Sequence, residues 1–383
     1  MTTRRVALVG RMVMLAALAN GCGDDVDFEG VVAERMLLPG DNPFGPGDPL
    51  YAPQPKRGKP QQVVTTPDGH LAVISLPGTI DRPGNAVAVV DVATASSLGR
   101  IAVGSGPYAM AMHPAGRWLV VTLPTSNHLV VIDVARRRVV QRLPTDFYAT
   151  GAAFDPAGTR LVVANRWRDG VAIYEIAADS DGLRILRRGP WLRVGDNPRD
   201  VAISGDGRFA AVGAQTGLDV CVVDLAAATV HQRIALGAPS NGVAFVSGLL
   251  VVTTLSASSH HRADSGPDGD GDGQPGDGTP NINFQDLQNE IAVIDPESGV
   301  VLRRLTSDTI AGKDYRDVDP RDGVRGGDLL PAPSLRLVGG ALPEGIVAVD
   351  DVDFIVGYSG SSELQRFRLE KTAEGVTVLA GPT

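Results

Sequence analysis

Cysteine is nearly absent from this chain, with two among 383 residues. Cys22 lies in a leader-like N-terminal segment, which leaves Cys221 without a partner for an internal disulfide in the mature chain. Cys221 stands in the apolar run "LDVCVVDL", where an inert core thiol is expected. The motif CxxCH is also absent, so no haem of the c type is attached to this chain. Stability must therefore come from packing.

Positive charge is in deficit as well. The sequence has 35 lysines and arginines against 44 aspartates and glutamates, for a formal net charge of −9. An acidic surface repels a phosphate backbone, so we expect no nucleic-acid partner. The sequence has no phosphate-binding glycine loop and no Ser/His/Asp arrangement in a recognisable context. These absences favour a binding protein over an enzyme.

No apolar run is long enough to cross a bilayer as a helix, which takes about 20 residues. The run "MVMLAALA" at residues 12–19 follows three arginines and precedes "ANGC", a pattern typical of an export signal. The segment resembles a bacterial lipoprotein signal. This resemblance implies that residues 1–21 are removed, that Cys22 is lipidated, and that the protein is anchored in the cell envelope, which we expect at the outer membrane. The alternative is an ordinary secretory signal cleaved nearby.

What the sequence does contain is a repeat. Six segments share a landmark residue, usually proline, followed seven residues later by a turn: Pro60, Pro107, Ala149, Pro198, Pro239 and Pro343. Five segments carry an apolar strand that closes on an acid: Asp91, Asp133, Glu175, Asp224 and Asp295. Four short strands in units of about 40–45 residues are typical of β-propeller blades. The second unit shows them best, as "AMAMH", "WLVVTL", "HLVVIDV" and "RVVQRL".

The repeat also carries a family resemblance. The stretch "PYAMAMHPAGRWLVVTLPTSNHLVVIDVARRRVVQRL" resembles the repeat of YVTN-type propellers, which are related in fold to lactonase-like propellers. The resemblance covers residues 60–305 and extends to residues 342–381. It implies an all-β fold, a β-propeller of six or seven four-stranded blades, and leaves function to be argued from a site because propellers host many activities.

The predicted domain organisation follows from the repeat. Residues 1–21 form the signal, residues 22–59 form a linker that could contribute a strand, and residues 60–383 form the propeller. Insertions are expected at about residues 256–288 and 307–341. A seventh blade would draw on residues 24–59 or 310–340. The last unit and the segment before it also resemble propeller modules that accompany cytochrome c peroxidase domains with two haems.

Candidate binding residues follow the landmark position. In a propeller the first strand of each blade lines the central channel, so residues just after the landmark stand at the channel mouth. This rule selects Tyr108, Arg199, Asp200, Asn241 and Glu344. Asp200, Asn241 and Glu344 could converge on a divalent cation, and oxygen ligands of this kind suit calcium or magnesium. The resemblance to gluconolactonase-like propellers implies such a carboxylate and amide set, which holds the metal that polarises a lactone carbonyl. The alternative is a set of solvated loop residues, with Arg199 paired to Asp200 or Glu344.

An acidic stretch, "SSHHRADSGPDGDGDGQPGDGTPN" at residues 258–281, interrupts the fifth unit between its second and third strands. Its "DGDGDG" matches the start of a calcium loop, with Asp268, Asp270 and Asp272 as ligands, and Asp277 would join by a different chain path. Thr279 stands where the bidentate glutamate is expected. The alternative is a hydrated acidic insertion that holds no ion.

Histidine and tryptophan add no coherent site. His70 and His113 lie beside the first turns of two units, where exposed or hydrogen-bonded histidines are common. Trp118, Trp167 and Trp191 fall in or beside strands, so we expect them to pack between blades rather than to stack on a ligand.

These observations predict an exported, non-catalytic propeller that acts as a binding or scaffolding module for a protein or small-molecule ligand. Calcium is its candidate cofactor. Two alternatives stay open. One is a metal-dependent, lactonase-like hydrolase acting at the channel mouth. The other is an accessory subunit of a periplasmic redox system of the cytochrome c peroxidase type, in which another chain would carry the haem.

Overall fold

A computed structural model describes residues 61–78, 83–178, 183–257, 287–306, 343–358, 363–372 and 375–380. These residues form 24 strands in six four-stranded sheets, and neighbouring strands within a sheet are consecutive in the chain. Two 3-10 turns accompany them, Pro124–Ser126 and Arg166–Arg168. Among the residues that the structure describes, no helix is long and apolar enough to cross a membrane. The predicted all-β class and the four-stranded units are confirmed.

The first three sheets contain strands β1–β12. The first comprises β1 Val63–Thr65, β2 Leu71–Gly78, β3 Pro83–Asp91 and β4 Ser96–Ala102. The second comprises β5 Met110–Met112, β6 Trp118–Leu123, β7 His128–Asp133 and β8 Arg138–Pro144. The third comprises β9 Ala149–Phe154, β10 Arg160–Asn165, β11 Gly170–Ala178 and β12 Leu183–Arg193.

The remaining three sheets contain strands β13–β24. The fourth comprises β13 Pro198–Ile203, β14 Phe209–Ala214, β15 Asp219–Asp224 and β16 Thr229–Ala235. The fifth comprises β17 Ser240–Val246, β18 Leu249–Ala257, β19 Leu287–Ile294 and β20 Val301–Thr306. The sixth comprises β21 Pro343–Ala348, β22 Asp353–Tyr358, β23 Glu363–Thr372 and β24 Gly375–Ala380. The sixth sheet shows that the last, weakest repeat also forms four strands.

The chain divides into two compact units, and the division falls within the third sheet. The first unit runs to Arg168 and includes Ala172–Pro190, and the second comprises Asp169–Val171 and the chain from Trp191 onward. In the first unit, apolar side chains of the first two sheets pack in one cluster, and in the second unit the fifth sheet contributes to clusters with both the fourth and the sixth. The cores therefore lie between the faces of successive sheets.

Burial falls from the second strand of a sheet to the fourth. Every residue of β6 and β14 is buried, whereas most residues of β4 are exposed, and β8 and β16 are half-buried or exposed except at Ile234. A continuous apolar run is what a strand covered on both faces requires, because successive side chains point to opposite faces. The second strands are therefore inner strands, and the fourth strands carry the polar, solvent-facing edge.

The recurring acid is explained by the turn between the third and fourth strands. Asp91, Asp133, Asp224 and Asp295 each accept a backbone N–H from the turn that follows, at 2.8–3.0 Å. The fourth residue after each acid has a left-handed backbone: Ala95, Arg137, Ala228 and Gly299. Glu175 is the exception, since β11 continues past it to Ala178. The acid is thus a turn-forming residue, a role that aspartate commonly has.

Candidate functional site

Four first strands begin with a β-bulge, which in three of them lies at the position that follows the landmark. In β13, Pro198 is opposite Ala214 and Asp200 is opposite Gly213, so the register skips Arg199. The same shift skips Thr150 in β9, Asn241 in β17 and Glu344 in β21. A bulge redirects the side chain at the end of a strand and is common next to binding sites.

The second sheet has an equivalent arrangement just before β5. Tyr108 donates its N–H to the Thr122 carbonyl at 3.0 Å, and Thr122 donates its own N–H to the Ala109 carbonyl at 2.8 Å. The Thr122 hydroxyl accepts the Ala109 N–H at 2.9 Å. Tyr108 and Ala109 are therefore both opposite Thr122, which is the pattern of a bulge. Four of the five candidate residues, Tyr108, Arg199, Asn241 and Glu344, share this bulge position.

The structure places the candidates in two groups, one in each unit. In the second unit β13 lies beside β17, and β17 lies beside β21. Arg199, Asn241 and Glu344 therefore stand at the beginnings of three neighbouring first strands. Tyr108 belongs to the first unit, where β5 lies beside β1 and β9. Tyr108 and Arg199 are half-buried, and Asn241 is buried.

Asp200 lies one residue beyond the bulge and has a different role. Its Oδ1 accepts the Val201 N–H at 2.9 Å, and its Oδ2 accepts the Val243 N–H of the next sheet at 3.1 Å. Gln62 makes the equivalent link in the first unit, where its Oε1 accepts the Met110 N–H at 2.5 Å. Asp200 and Gln62 therefore both join the first strands of successive sheets through a side-chain oxygen.

This position perturbs the acidity of Asp200. The residue as a whole is half-buried, but its carboxyl is enclosed by protein atoms, and this burial raises its pKa to about 6. The N–H groups of Val243 and Val201 and the charge of Arg199 favour the carboxylate and reduce the shift without cancelling it.

The pairing register of β17 with β18 corrects one equivalence that was predicted from the repeat spacing. Counting seven residues from Pro239 predicts that the first turn of the fifth sequence repeat lies at Val246. The same count makes Asn241 equivalent to Asp200. Instead, Val246 pairs with Leu249, and the turn contains only Ser247 and Gly248. Because the first strand has one residue more than the count allows, Gly242 takes the position of Asp200 and Asn241 takes the bulge.

The candidate metal ligands lie partly within and partly outside the described residues. Within the described ranges, no cluster of three histidine, cysteine or acidic side chains could hold a metal ion. Glu344 is placed by its backbone register alone. The calcium candidates Asp268, Asp270, Asp272 and Asp277, and the lipidation candidate Cys22, lie outside the described residues.

The histidine expectation is confirmed for His113. This buried residue accepts the Ala115 N–H at Nδ1 (3.1 Å), so Nε2 carries the proton and donates to the Gly158 carbonyl at 3.1 Å. His113 thus joins the first turns of the second and third sheets. The tryptophan expectation holds for Trp118, which is buried, and is wrong for Trp167, which is 67% exposed. Trp167 lies in the 3-10 turn after β10, in which no residue is buried.

Comparisons with known proteins support the fold. The family model described as "Lactonase, 7-bladed beta-propeller" matches residues 54–231, just under half of the chain. A solved structure of Kuenenia stuttgartiensis hydrazine synthase is similar, with a TM-score of 0.61 and 17% identity over 91% of this chain and 90% of that chain. A protein of unknown function from Desulfotomaculum acetoxidans DSM 771 has a TM-score of 0.54 and 13% identity over 85% and 90%. No curated protein matches.

Proposed function

Because the chain is a lactonase-like β-propeller protein, we propose that it is a non-catalytic binding or scaffolding module of the cell envelope. The observation that carries this proposal is the use made of Asp200. Both oxygens of this candidate catalytic carboxylate accept backbone N–H groups, one of them from the neighbouring sheet. Gln62, which has no acid chemistry, makes the same link in the first unit. Asp200 therefore acts as a structural residue that links the first strands of two sheets.

A turnover assay tests the proposal. The mature protein is incubated with a panel of aliphatic and sugar lactones, with calcium, magnesium or manganese added in turn. We expect no hydrolysis above that of a heat-denatured sample. Turnover that is lost in Glu344→Gln, while that variant keeps the wild-type melting temperature, would overturn the proposal.

The hydrolase is the second candidate function. It is favoured by the match to the lactonase family model and by the raised pKa of Asp200, because a carboxyl that titrates near neutrality suits general acid–base catalysis. In that case Arg199, Asn241 and Glu344, on neighbouring first strands, would contact the substrate or its metal. An activity profile that rises with a pKa near 6 and is absent in Asp200→Asn would support this candidate.

An accessory role in a redox system is a third candidate. This chain has no CxxCH motif, so the haem would have to be carried by another chain. Two observations test the idea: whether a neighbouring reading frame encodes CxxCH motifs, and whether a haem protein co-purifies with the tagged chain. If neither is found, the accessory role is excluded.

The proposal places the protein outside the cytoplasm, held by a lipid on Cys22. Labelling of cells with a radioactive fatty acid should tag the wild-type protein and leave Cys22→Ser unlabelled. The wild-type protein should sediment with outer membranes, and Cys22→Ser should appear in the soluble periplasmic fraction. Labelling of both proteins, or of neither, would contradict the anchor.

Calcium is proposed as a ligand of the acidic stretch at residues 258–281. A ligand that binds only the folded protein must raise its melting temperature. The expected result is a higher melting temperature with calcium than with chelator, and no such difference in a variant that combines Asp270→Asn and Asp272→Asn. A wild-type melting temperature that calcium does not change would rule out this site.

A further inference from the structure

The loop that leads into β9 and the turn after β10 expose a group of aromatic side chains in a sequence that is only 5% aromatic. We call Phe147, Tyr148 and Trp167 the aromatic platform. The rings of Tyr148 and Trp167 are stacked, with centroids 4.5 Å apart and planes 8° from parallel. Trp167 is 67% exposed and Phe147 is 58% exposed. Since one face of the indole covers Tyr148, the exposed area of Trp167 is its opposite face and its edges.

The platform is held in a fixed conformation. Tyr148 has a left-handed backbone, with φ of 57°, which is unfavourable for a bulky side chain and persists only where the surroundings impose it. Its N–H donates to Asn127 Oδ1 at 3.1 Å, and its carbonyl accepts the Arg166 N–H at 2.9 Å. Beside them, Arg168 forms an ion pair with Asp146 at 3.0 Å. The two loops are thus joined before any ligand binds, which reduces the entropy lost on binding.

A purely structural role explains this arrangement incompletely. Stacking on Tyr148 stabilises the loops, but none of the three residues in the 3-10 turn that carries Trp167 is buried. An indole that faces water gives up the stabilisation that burying its large apolar surface would supply. Backbone strain at Tyr148 adds a second cost. Rigid, exposed aromatic residues beside charged groups are typical of binding sites.

The chemistry of the platform indicates its ligand. The main-chain groups of Tyr148 are satisfied within the loops, so the surface is made of flat rings and the Arg168–Asp146 pair. A pyranose ring matches both, because its C–H bonds carry partial positive charge toward the negative face of an aromatic ring and its hydroxyls extend from the edge. An extended peptide would require main-chain partners. The chain's net charge of −9 disfavours a polyanion.

We propose that the aromatic platform binds the pyranose rings of a glycan chain, with a sugar face on Trp167 and hydroxyls directed to Arg168 and Asp146. This inference rests on the proposed function, since it supplies the ligand class of a binding module. It does not depend on the bulge residues of the first strands.

Binding is tested on the mature protein with two probes, the hexamers of β-1,4-linked glucose and of β-1,4-linked N-acetylglucosamine. Trp118 is buried and Trp191 is half-buried, so fluorescence quenching by acrylamide reports chiefly on Trp167. A bound sugar should shield Trp167, and calorimetry should give a dissociation constant that Trp167→Ala raises roughly tenfold or more. The dissociation constant of Trp167→Phe, which keeps a ring, should lie between those of the wild type and Trp167→Ala. A preference for one hexamer identifies the sugar unit, and either preference supports the proposal.

Two variants separate binding from folding. Leu218→Ala is the matched control, because Leu218 is 59% exposed in the equivalent loop of the fourth sheet, and it should leave binding unchanged. Tyr148→Gly removes the strained φ together with the ring beneath Trp167, so it should weaken binding without lowering the melting temperature. A merely structural platform would give the reverse, with lower stability and unchanged affinity.

The proposal is overturned if neither hexamer shields Trp167 at millimolar concentration, or if Trp167→Ala binds as well as the wild type. Binding of a peptide, with no sugar response, would also overturn it in favour of a protein partner. The proposed function fails on a different result, lactone turnover, which can occur with or without sugar binding. The two outcomes are therefore separable.

Discussion

At the scale of single residues, close approaches between the first turns of successive sheets depend on glycine. A Cβ on Gly158 would lie 2.4 Å from His113 Nε2, and the φ of Gly158 is 69°. Gly158→Ala should therefore lower the free energy of unfolding by roughly 2–4 kcal/mol, from backbone strain and from displacement of a buried ring. Denaturant titration measures the change.

Gly205→Ala is a control that has neither the left-handed backbone nor the close contact. Gly205 occupies the corresponding turn of the fourth sheet, where a Cβ would meet no atom within 4 Å. The control should change the free energy of unfolding by less than about 0.5 kcal/mol. Equal losses in the two variants would mean that His113 does not restrict this turn.

Asp200 makes the stability of the fold depend on pH in an uncommon direction. Folding raises its pKa from 3.8 to about 6, so the folded state binds this proton more tightly than the unfolded state does. The contribution of Asp200 to the free energy of unfolding is therefore larger when the carboxyl is protonated, and it decreases as the pH rises from about 4 through 6. Asp200→Asn, which stays neutral, should lower the melting temperature more at about pH 4.5 than at about pH 7.5.

Asp206 provides a control of opposite sign. The Ser204 hydroxyl and the Arg208 N–H hold the pKa of Asp206 below its usual value, so its stabilising contribution is present above about pH 4 and is lost as the pH falls. Asp206→Asn should therefore be most destabilising near neutral pH. If both variants show the same pH trend, the burial assigned to the Asp200 carboxyl is wrong.

At the scale of elements, the turn between the third and fourth strands offers a paired prediction. Ala228 and Gly299 occupy the same left-handed position in two sheets, with φ of 53° and 71°. Ala228→Gly should raise the free energy of unfolding by up to about 1 kcal/mol, because glycine adopts this conformation without steric cost.

Gly299→Ala should have the opposite effect. Besides the strain, a Cβ would lie 1.9 Å from Gln232 Oε1, and Gln232 donates through Nε2 to the Glu297 carbonyl at 2.7 Å. The side chain can move aside only by giving up this bond, so a loss of roughly 1–3 kcal/mol is expected in thermal or denaturant unfolding. A neutral result would show that the turn changes its conformation to accept a side chain.

The same turns show what the sequence could and could not reveal. Repeated strands and acids predicted six sheets because each apolar run and each turn obeys local rules of spacing and backbone geometry. The exact position of Asn241 was not predictable, since the fifth sheet has a shorter turn and a longer first strand, and the two changes nearly cancel in a count. The burial of the Asp200 carboxyl and the exposure of Trp167 were not predictable for a related reason: burial depends on the neighbouring sheet or loop, which spacing does not encode.

At the scale of the whole molecule, the single thiol in the described part of the chain can report unfolding. Cys221 is fully buried in β15, and this burial raises the pKa of its thiol to about 12. The thiolate is the reactive form, so the native protein should react with thiol reagents only when the fourth sheet opens.

The measurement uses Cys22→Ser, which leaves Cys221 as the only thiol. Labelling should be slower than in the denatured chain by several orders of magnitude, and should accelerate with denaturant in parallel with the loss of β-sheet signal. Leu218→Cys, with an exposed thiol in the same sheet, should label at once. Fast labelling of Cys221 without denaturant would contradict the packing described for this sheet.

The bulge at the start of the first strands separates the residues that pair in the sheet from the residue whose type the pairing does not restrict. The ladder register skips Thr150, Arg199, Asn241 and Glu344, so the backbone pairing of the strands sets no requirement on the residue type there. One small, one basic, one amide and one acidic residue already occupy these places. Under the proposed channel-mouth site, specificity could therefore diversify one blade at a time, and a combinatorial library over these positions should change ligand binding while the backbone ladders are kept.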